Sequence, residues 1–330
     1  MSTRMSKQFM AVLAATLLTG GLQAQDSGLH ERANAIFDPL PETMPGAEND
    51  SKAQVELGRD LYFEEALSVN GTQSCNTCHR LDEGRAGDDG RAVSPGAVDG
   101  RKGSRNAPTV INAGLHVDQF WDGRADDLKE QAKGPILNPK EMALPDEEAA
   151  EENIRGTSNY KARFNELYEQ GVTFDNIADA IAAFERTLIS DDRFDRYLEG
   201  DRDALTKTEK RGLKTFMDTG CTSCHSGALL GGDSYQKMGV VEPYADTEDK
   251  GRMEVTGKES DKFVFKVPSL RNVALTGPYF HDGGVASLDE AVRQMATLQL
   301  GRDLSDKQVR AIVAFLKTLN KNEDQNFAQR

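Results

Sequence analysis

The 330-residue chain is poor in the residues that usually carry redox and metal chemistry: one tryptophan, four cysteines and five histidines. It is also short of positive charge, with 40 Lys and Arg against 54 Asp and Glu, a formal net charge of −14. So acidic a chain repels phosphate backbones, which excludes nucleic-acid binding as its main role. Beyond the amino-terminal segment, no stretch approaches the roughly 20 apolar residues that span a bilayer. Strand patterns are scarce as well. Only Phe263-Val264-Phe265 reads as a short strand, so any sheet is minor. The hydrophobic fraction of 38% argues against a disordered or fibrous chain. At about 150 residues per domain, the length suggests two domains.

Residues 1–24 have the form of a secretory signal peptide: basic Arg4 and Lys7, an apolar run over Phe9–Leu18, then small residues near Ala24. The run is too short for a membrane anchor. Its removal takes away two positive charges and leaves the remainder near −16. An acidic chain behind such a signal is expected in the periplasm, an oxidising compartment in which free thiols are unusual.

The four cysteines fall in two copies of one motif, Cys75-Asn-Thr-Cys78-His79 and Cys221-Thr-Ser-Cys224-His225. Two Cys three apart, followed at once by His, is the attachment pattern of c-type haem. Each thiol adds to one vinyl group, the i, i+3 offset puts both sulfurs on one side of a helical turn, and the next residue aims its imidazole at the iron. A redox disulfide needs no following His. Zinc sites built from two Cys-x-x-Cys pairs place them about 15–20 residues apart; here they are 146 apart. Two covalent haems account for all four cysteines and make His79 and His225 the proximal iron ligands.

The chain also repeats itself. Segments 107–123 and 267–283 share Pro, Asn, Leu, Phe, Asp and Gly at six of 17 positions, and 175–188 and 306–319 share seven of 14. A helical run, Val55–Phe63 or Glu209–Met217, precedes each haem motif. The closing segments carry apolar residues at helical spacing, Ile177, Ile181, Phe184 and Leu188, then Val309, Ile312, Phe315, Leu316 and Leu319. The expected fold is mostly α: two tandem class I cytochrome c-like domains, over 25–195 and 196–330, joined near the charged segment 190–205. The tail after Asn320 is polar and is expected to be loose.

In combination, CNTCH at 75, RNAPTVINA at 105, QFWDGRADDL at 119, QAKGP at 131, EM at 141, CTSCH at 221, DKGR at 249 and PSLRNVALTGPYFHDG at 268 resemble the bacterial di-haem cytochrome c peroxidases. The resemblance runs from about residue 35 to 320. It implies reduction of hydrogen peroxide to water, with electrons entering at the C-terminal haem from a small c-type cytochrome or a cupredoxin, and peroxide binding at the N-terminal haem. It also implies a homodimer.

The family's second axial ligand on the C-terminal haem falls on Met295; a core methionine is the plainer alternative. A His/Met iron exchanges electrons, whereas an iron with an open sixth position can bind peroxide. On the N-terminal haem most of these peroxidases carry a switching His a few residues before the Arg-Asn-Ala-Pro. That position holds Val98 here, and no His occurs between 80 and 115. The expected consequence is a first haem that is open in every redox state and needs no reductive activation. His116 is read as a surface or hydrogen-bonding histidine rather than a substitute ligand.

By the same resemblance Glu141 is the acid/base carboxyl, Gln131 its companion amide, and Trp121 the electron-transfer ring between the haems. Asn106, Thr276 and Pro278 match the positions that hold a calcium ion, to which hard oxygen ligands are suited. Two other functions stay open. One is a di-haem enzyme that oxidises a protein or small molecule at high-valent iron; such relatives carry Tyr where Met295 falls. The other is a non-enzymatic di-haem electron carrier, against which the missing distal His argues.

Overall fold

The computed structural model describes residues 27–82, 85–157 and 159–329. The expected signal peptide, 1–24, lies outside the described residues. The described chain is mostly helical, with one two-stranded antiparallel sheet.

Each copy of the repeat is built on a pair of crossing helices. In the first copy, α2 (Lys52–Tyr62) crosses α7 (Phe174–Glu185); in the second, α9 (Lys207–Thr219) crosses α12 (Asp306–Leu316). Their starts are written in the sequence. Ser51 with Gln54, Thr206 with Glu209 and Ser305 with Gln308 form reciprocal capping boxes, and Thr173 accepts from the amide of Asn176. The crossings are made by two glycines at matching positions. A Cβ on Gly58 would stand 1.7 Å from the carbonyl oxygen of Ala180, and one on Gly212 would stand 1.9 Å from that of Ala311. No side chain fits there, so glycine lets the two backbones meet.

The first core gathers Leu57 and Leu61 of α2, Ile136 of α4 (Leu128–Leu137), Ile154 of α5 (Glu147–Gly156), Phe164 of α6 (Tyr160–Leu167), and Ile177 and Ile181 of α7. The second gathers Leu213, Phe216, Ile312, Phe315 and Leu316. The ends of the described chain cross between the copies. Ala33 and Phe37, in and just after the helix over 27–34, pack into the second core with Phe194 and Tyr197 of α8 (Arg193–Leu198). Within the charged segment near 190–205, α8 therefore buries Phe194, Asp195, Tyr197 and Leu198, while Arg196 and Glu199 stay exposed. Its charge is absorbed by Arg271, fully buried, which donates to Asp192, Asp195 and the carbonyls of Ala228 and Asp38. The tail after Asn320 is held down rather than loose. Phe327 is buried against Tyr62, Leu81 and Phe184 of the first copy, and the amide of Lys321 donates to Asn272 Oδ1. A single aromatic anchor outweighs the polar composition around it.

The expected strand near 263–265 is β2 (Val264–Lys266). Its partner β1 (Tyr235–Lys237) was not legible in the sequence, because it is half-buried or exposed and shows no apolar alternation.

Candidate haem sites and the seam between them

Cys75–Cys78 forms a one-turn helix, α3, after Ser74; Cys221–Ser223 forms a tighter turn after Gly220, where a φ of 100° ends α9. All four cysteines are half-buried and none is in a disulfide. Burial pushes the Cys78 thiol up to about 11 and the Cys221 thiol to about 12, and raises Cys75 as well. The settings are mostly apolar; Ser223 Oγ and Gln236 Nε2 lie within 4 Å of Cys224 Sγ.

The two histidines are oriented alike. His79 Nδ1 lies 2.9 Å from the Pro108 carbonyl, and His225 Nδ1 lies 2.8 Å from that of Leu230. A carbonyl only accepts, so Nδ1 carries the hydrogen in each ring. That leaves Nε2 bare, with the outer-shell hydrogen bond typical of a metal-ligating histidine. Burial lowers both pKa values and favours the neutral ring that binds iron. Tyr62 reinforces the first site by donating to the His79 carbonyl at 2.5 Å. Around the second motif a largely apolar cavity is lined by Cys221, Cys224, His225 and Met295, with Phe216, Leu288 and Ile312. Met295 lies on α11 (Leu288–Leu300), half-buried, and reaches the same cavity as His225. The cavity suits a flat apolar macrocycle tethered at two sulfurs, and its donor set suits the iron.

At the first site the loop 138–144 folds back on the last turn of α4. Met142 N–H donates to the Pro135 carbonyl, and Leu144 N–H to that of Ile136. Glu141 therefore hangs beyond the helix that carries Gln131. Burial pushes the Glu141 carboxyl above the ordinary range, and its charge in turn helps raise Cys78, so the two stand near each other. Arg124 and the Asn138 amide, 3.0 Å from Glu141 Oε1, favour the ionised form. Sequence reasoning missed both, although Arg124 lies within the WDGRADDL motif. Arg124 is held over the Phe120 ring, 3.4 Å from its centroid, and bonded to Asp122. Val98 belongs to a loop that packs on Glu141: Ala97 N–H donates to the Glu141 carbonyl at 2.7 Å.

Trp121 Nε1 donates to the Asn106 carbonyl of its own copy, and across the copies Lys266 N–H donates to the Trp121 carbonyl. Arg105 is gripped by Asp122 of its own copy and Asp249 of the other, at 2.5 and 2.6 Å. Asn106, Thr276 and Pro278 line one cavity. Asn106 Nδ2 donates to the carbonyls of Arg91 and Ala92, which leaves its Oδ1 as the free acceptor. Among the described residues no cluster of three or more His, Cys, Asp or Glu has the geometry of a metal site. His116 is a hydrogen-bonding residue on the second cavity, 2.7 Å from Lys266 Nζ.

Two cytochrome c folds in tandem, each with a paired-cysteine motif and a histidine freed at Nε2, define a di-haem c-type cytochrome. Family models agree: one described as di-haem cytochrome c peroxidase matches residues 52–203, and one described as cytochrome c matches 209–320. The chain is 46% identical over 318 residues to the cytochrome c551 peroxidase of Nitrosomonas europaea, covering 96% of this chain and 92% of that one. It is 45% identical to the cytochrome c551 peroxidase of Pseudomonas aeruginosa, covering 90% and 88%. A crystal structure of a MauG-like protein associated with microbial copper homeostasis superimposes with a TM-score of 0.74 at 30% identity, covering 86% and 93%. The chain belongs to the di-haem cytochrome c peroxidase family; it is an enzyme of the cytochrome c peroxidase class with two haems.

Proposed function

We propose that the protein reduces hydrogen peroxide to water at its first haem, with two electrons from a small c-type cytochrome or cupredoxin entering at the second. The observation that carries this reading is Glu141: a half-buried carboxyl beside the first haem motif, next to a loop that offers Val98 in place of a histidine. Bound haem iron supplies the electron chemistry of O–O cleavage. Cysteines 75, 78, 221 and 224 would hold the two haems, His79 and His225 would be the proximal ligands, and Met295 would be the second ligand of the second iron. Glu141 takes a proton from one peroxide oxygen and returns it to the other, which leaves as water. Burial makes its carboxyl basic enough to accept that proton, while Arg124 and Asn138 keep the ionised form accessible. Gln131 orients the peroxide. The whole reaction consumes one peroxide, two electrons and two protons and yields two waters.

Trp121 carries electrons across the seam, and Asn106 Oδ1 with the carbonyls of Thr276 and Pro278 would hold a calcium ion that would steady it. The site of action is the periplasm; no helix among the described residues is long and apolar enough to cross a membrane. Val98 at the switching position has no atom that ligates iron, so a bound first haem would need no prior reduction to take peroxide. Spectra of the fully oxidised protein test this. A high-spin ferric component, with immediate peroxide turnover against reduced cytochrome c, is the expected result. An all-low-spin oxidised spectrum rules out the open site. Stable oxidation of the protein by peroxide without turnover marks the alternative oxidase, and no reaction marks the electron carrier.

A further inference from the structure

Lys266 is 6% exposed. An ammonium that deep is costly to bury unless it is paired. Yet no carboxylate lies within ion-pair distance of its Nζ among the described residues, and its side-chain hydrogen-bond partner is the neutral ring of His116, Nδ1 at 2.7 Å. Asp118 contributes a favourable field, but its carboxylate is taken by the Tyr235 hydroxyl. With the protein groups alone, burial lowers the Lys266 ammonium to about 8. An additional anion would hold it charged.

His116 points the same way. Lysine has only donors to offer, so Nδ1 accepts and Nε2 carries the hydrogen. That Nε2 is buried and has no hydrogen-bond partner. Both donors belong to the wall of the cavity that Cys221, Cys224, His225 and Met295 line. A c-type haem tethered there brings two propionate carboxylates.

We propose that Lys266 Nζ and His116 Nε2 form the seat of a propionate of the second haem. The inference rests on the two-haem reading above. The two donors come from different copies of the repeat, 150 positions apart, so seating that one carboxylate ties both copies to one cofactor. Its second consequence is electrical. Lys266 neutralises a charge beside the electron-entry haem and favours its reduced form. The same residue donates its backbone N–H to Trp121, 2.8 Å away, so the propionate seat lies one residue from the electron-transfer ring. Lys266 and His116 are positioning residues, since they act on the haem and not on peroxide.

The test is spectroelectrochemistry of the full chain carrying both haems, with haem content confirmed by mass. In Lys266→Met the midpoint potential of the low-spin second haem is expected to fall, its propionate bending mode in the resonance Raman spectrum to shift, and the first haem to keep its potential. Lys266→Arg restores the potential, and His116→Ala gives a smaller shift in the same direction. Should Lys266→Met fail to fold, Lys266→Gln and His116→Ala carry the same measurement. Unchanged potentials and propionate mode in a two-haem variant overturn the inference, as does a shift confined to the first haem. A wild-type chain that carries no second covalent haem would instead overturn the reading beneath it.

Discussion

The ring of Trp121 meets that of His281 edge to face, with centroids 6.4 Å apart. These are equivalent positions in the two copies, and one residue ties them together. Asn106 accepts from Trp121 Nε1 at 2.9 Å and donates its N–H to the His281 carbonyl at 2.7 Å. On its far side His281 stacks on Phe265 at 4.1 Å, and Phe265 lines the second cavity. A continuous series of rings thus crosses the seam. Trp121→Phe keeps a ring but loses the indole N–H, and Trp121→Ala loses both. Internal electron transfer, followed by stopped-flow absorbance after peroxide is mixed with half-reduced protein, should slow in the first variant and slow further in the second. Both haems should stay attached.

Glu141→Gln removes the proposed proton carrier but keeps the shape. Peroxide turnover should fall by about 10²–10⁴-fold, the usual contribution of a positioned acid/base group, while the spectra of both haems change little. The carboxyl must be ionised to accept a proton, so activity should be lost as pH falls through its raised pKa. Arg124 lowers that pKa. Arg124→Gln should therefore move the acid limb of kcat/KM to higher pH, and an unmoved limb would detach Arg124 from the site.

Val98→His tests the proposed open site by supplying an imidazole at the position proposed to lack one. The loop is anchored on the Glu141 carbonyl through Ala97, so the new imidazole has a fixed origin near the first haem. The oxidised variant should become low-spin at both haems. Turnover should then require treatment with a reductant first. A variant that stays high-spin and active from the oxidised state would show that the loop does not reach the iron.

Any side chain at Gly58 or Gly212 forces two helices apart. Gly58→Ala and Gly212→Ala should each destabilise by about 1–3 kcal/mol or more, the scale of overpacking in a filled core. Thermal unfolding of the two-haem protein reads the effect. Gly58→Ala should loosen the first copy and Gly212→Ala the second, visible in which haem's absorption changes first on heating.

Glu185 of α7 is buried, its Oε2 has no partner, and burial pushes its carboxyl to about 8. Folded protein keeps this proton between the ordinary glutamate range and about pH 8, while unfolded chain has released it. Stability from this group is full below the ordinary range and is lost as pH rises through about 8. Glu185→Gln abolishes that loss. The melting temperature of the variant relative to the parent should climb from pH 5 to pH 8.5, and a constant difference would place Glu185 in a wetter setting.

The haem motifs, the repeated Pro–Asn–Asp-Gly segments and the crossing helices were legible in the sequence because each obeys a local rule. Thioether attachment needs cysteines three apart and an adjacent histidine, and a buried helix face needs apolar residues at 3.6-residue spacing. Even the equivalence of Asn112 and Asn272 can be read along the chain. Its meaning appears only in the fold, where each buried Asn has φ near +65° and takes the carbonyl of Leu188 or Leu319 at the end of its closing segment. Other features had no local signature. Phe327 is one aromatic in a polar tail, and α8 is a charged segment whose burial depends on Arg271 arriving from 79 positions away. Lys266 is an ordinary strand lysine until β2 is packed beneath the seam and His116 is brought against it. The sequence by itself determined the cofactor tethers and the doubled architecture, since these rest on spacing. Tertiary structure alone decided which charges are buried and what they face, because desolvation depends on every element packed around a group and not on its neighbours in the chain.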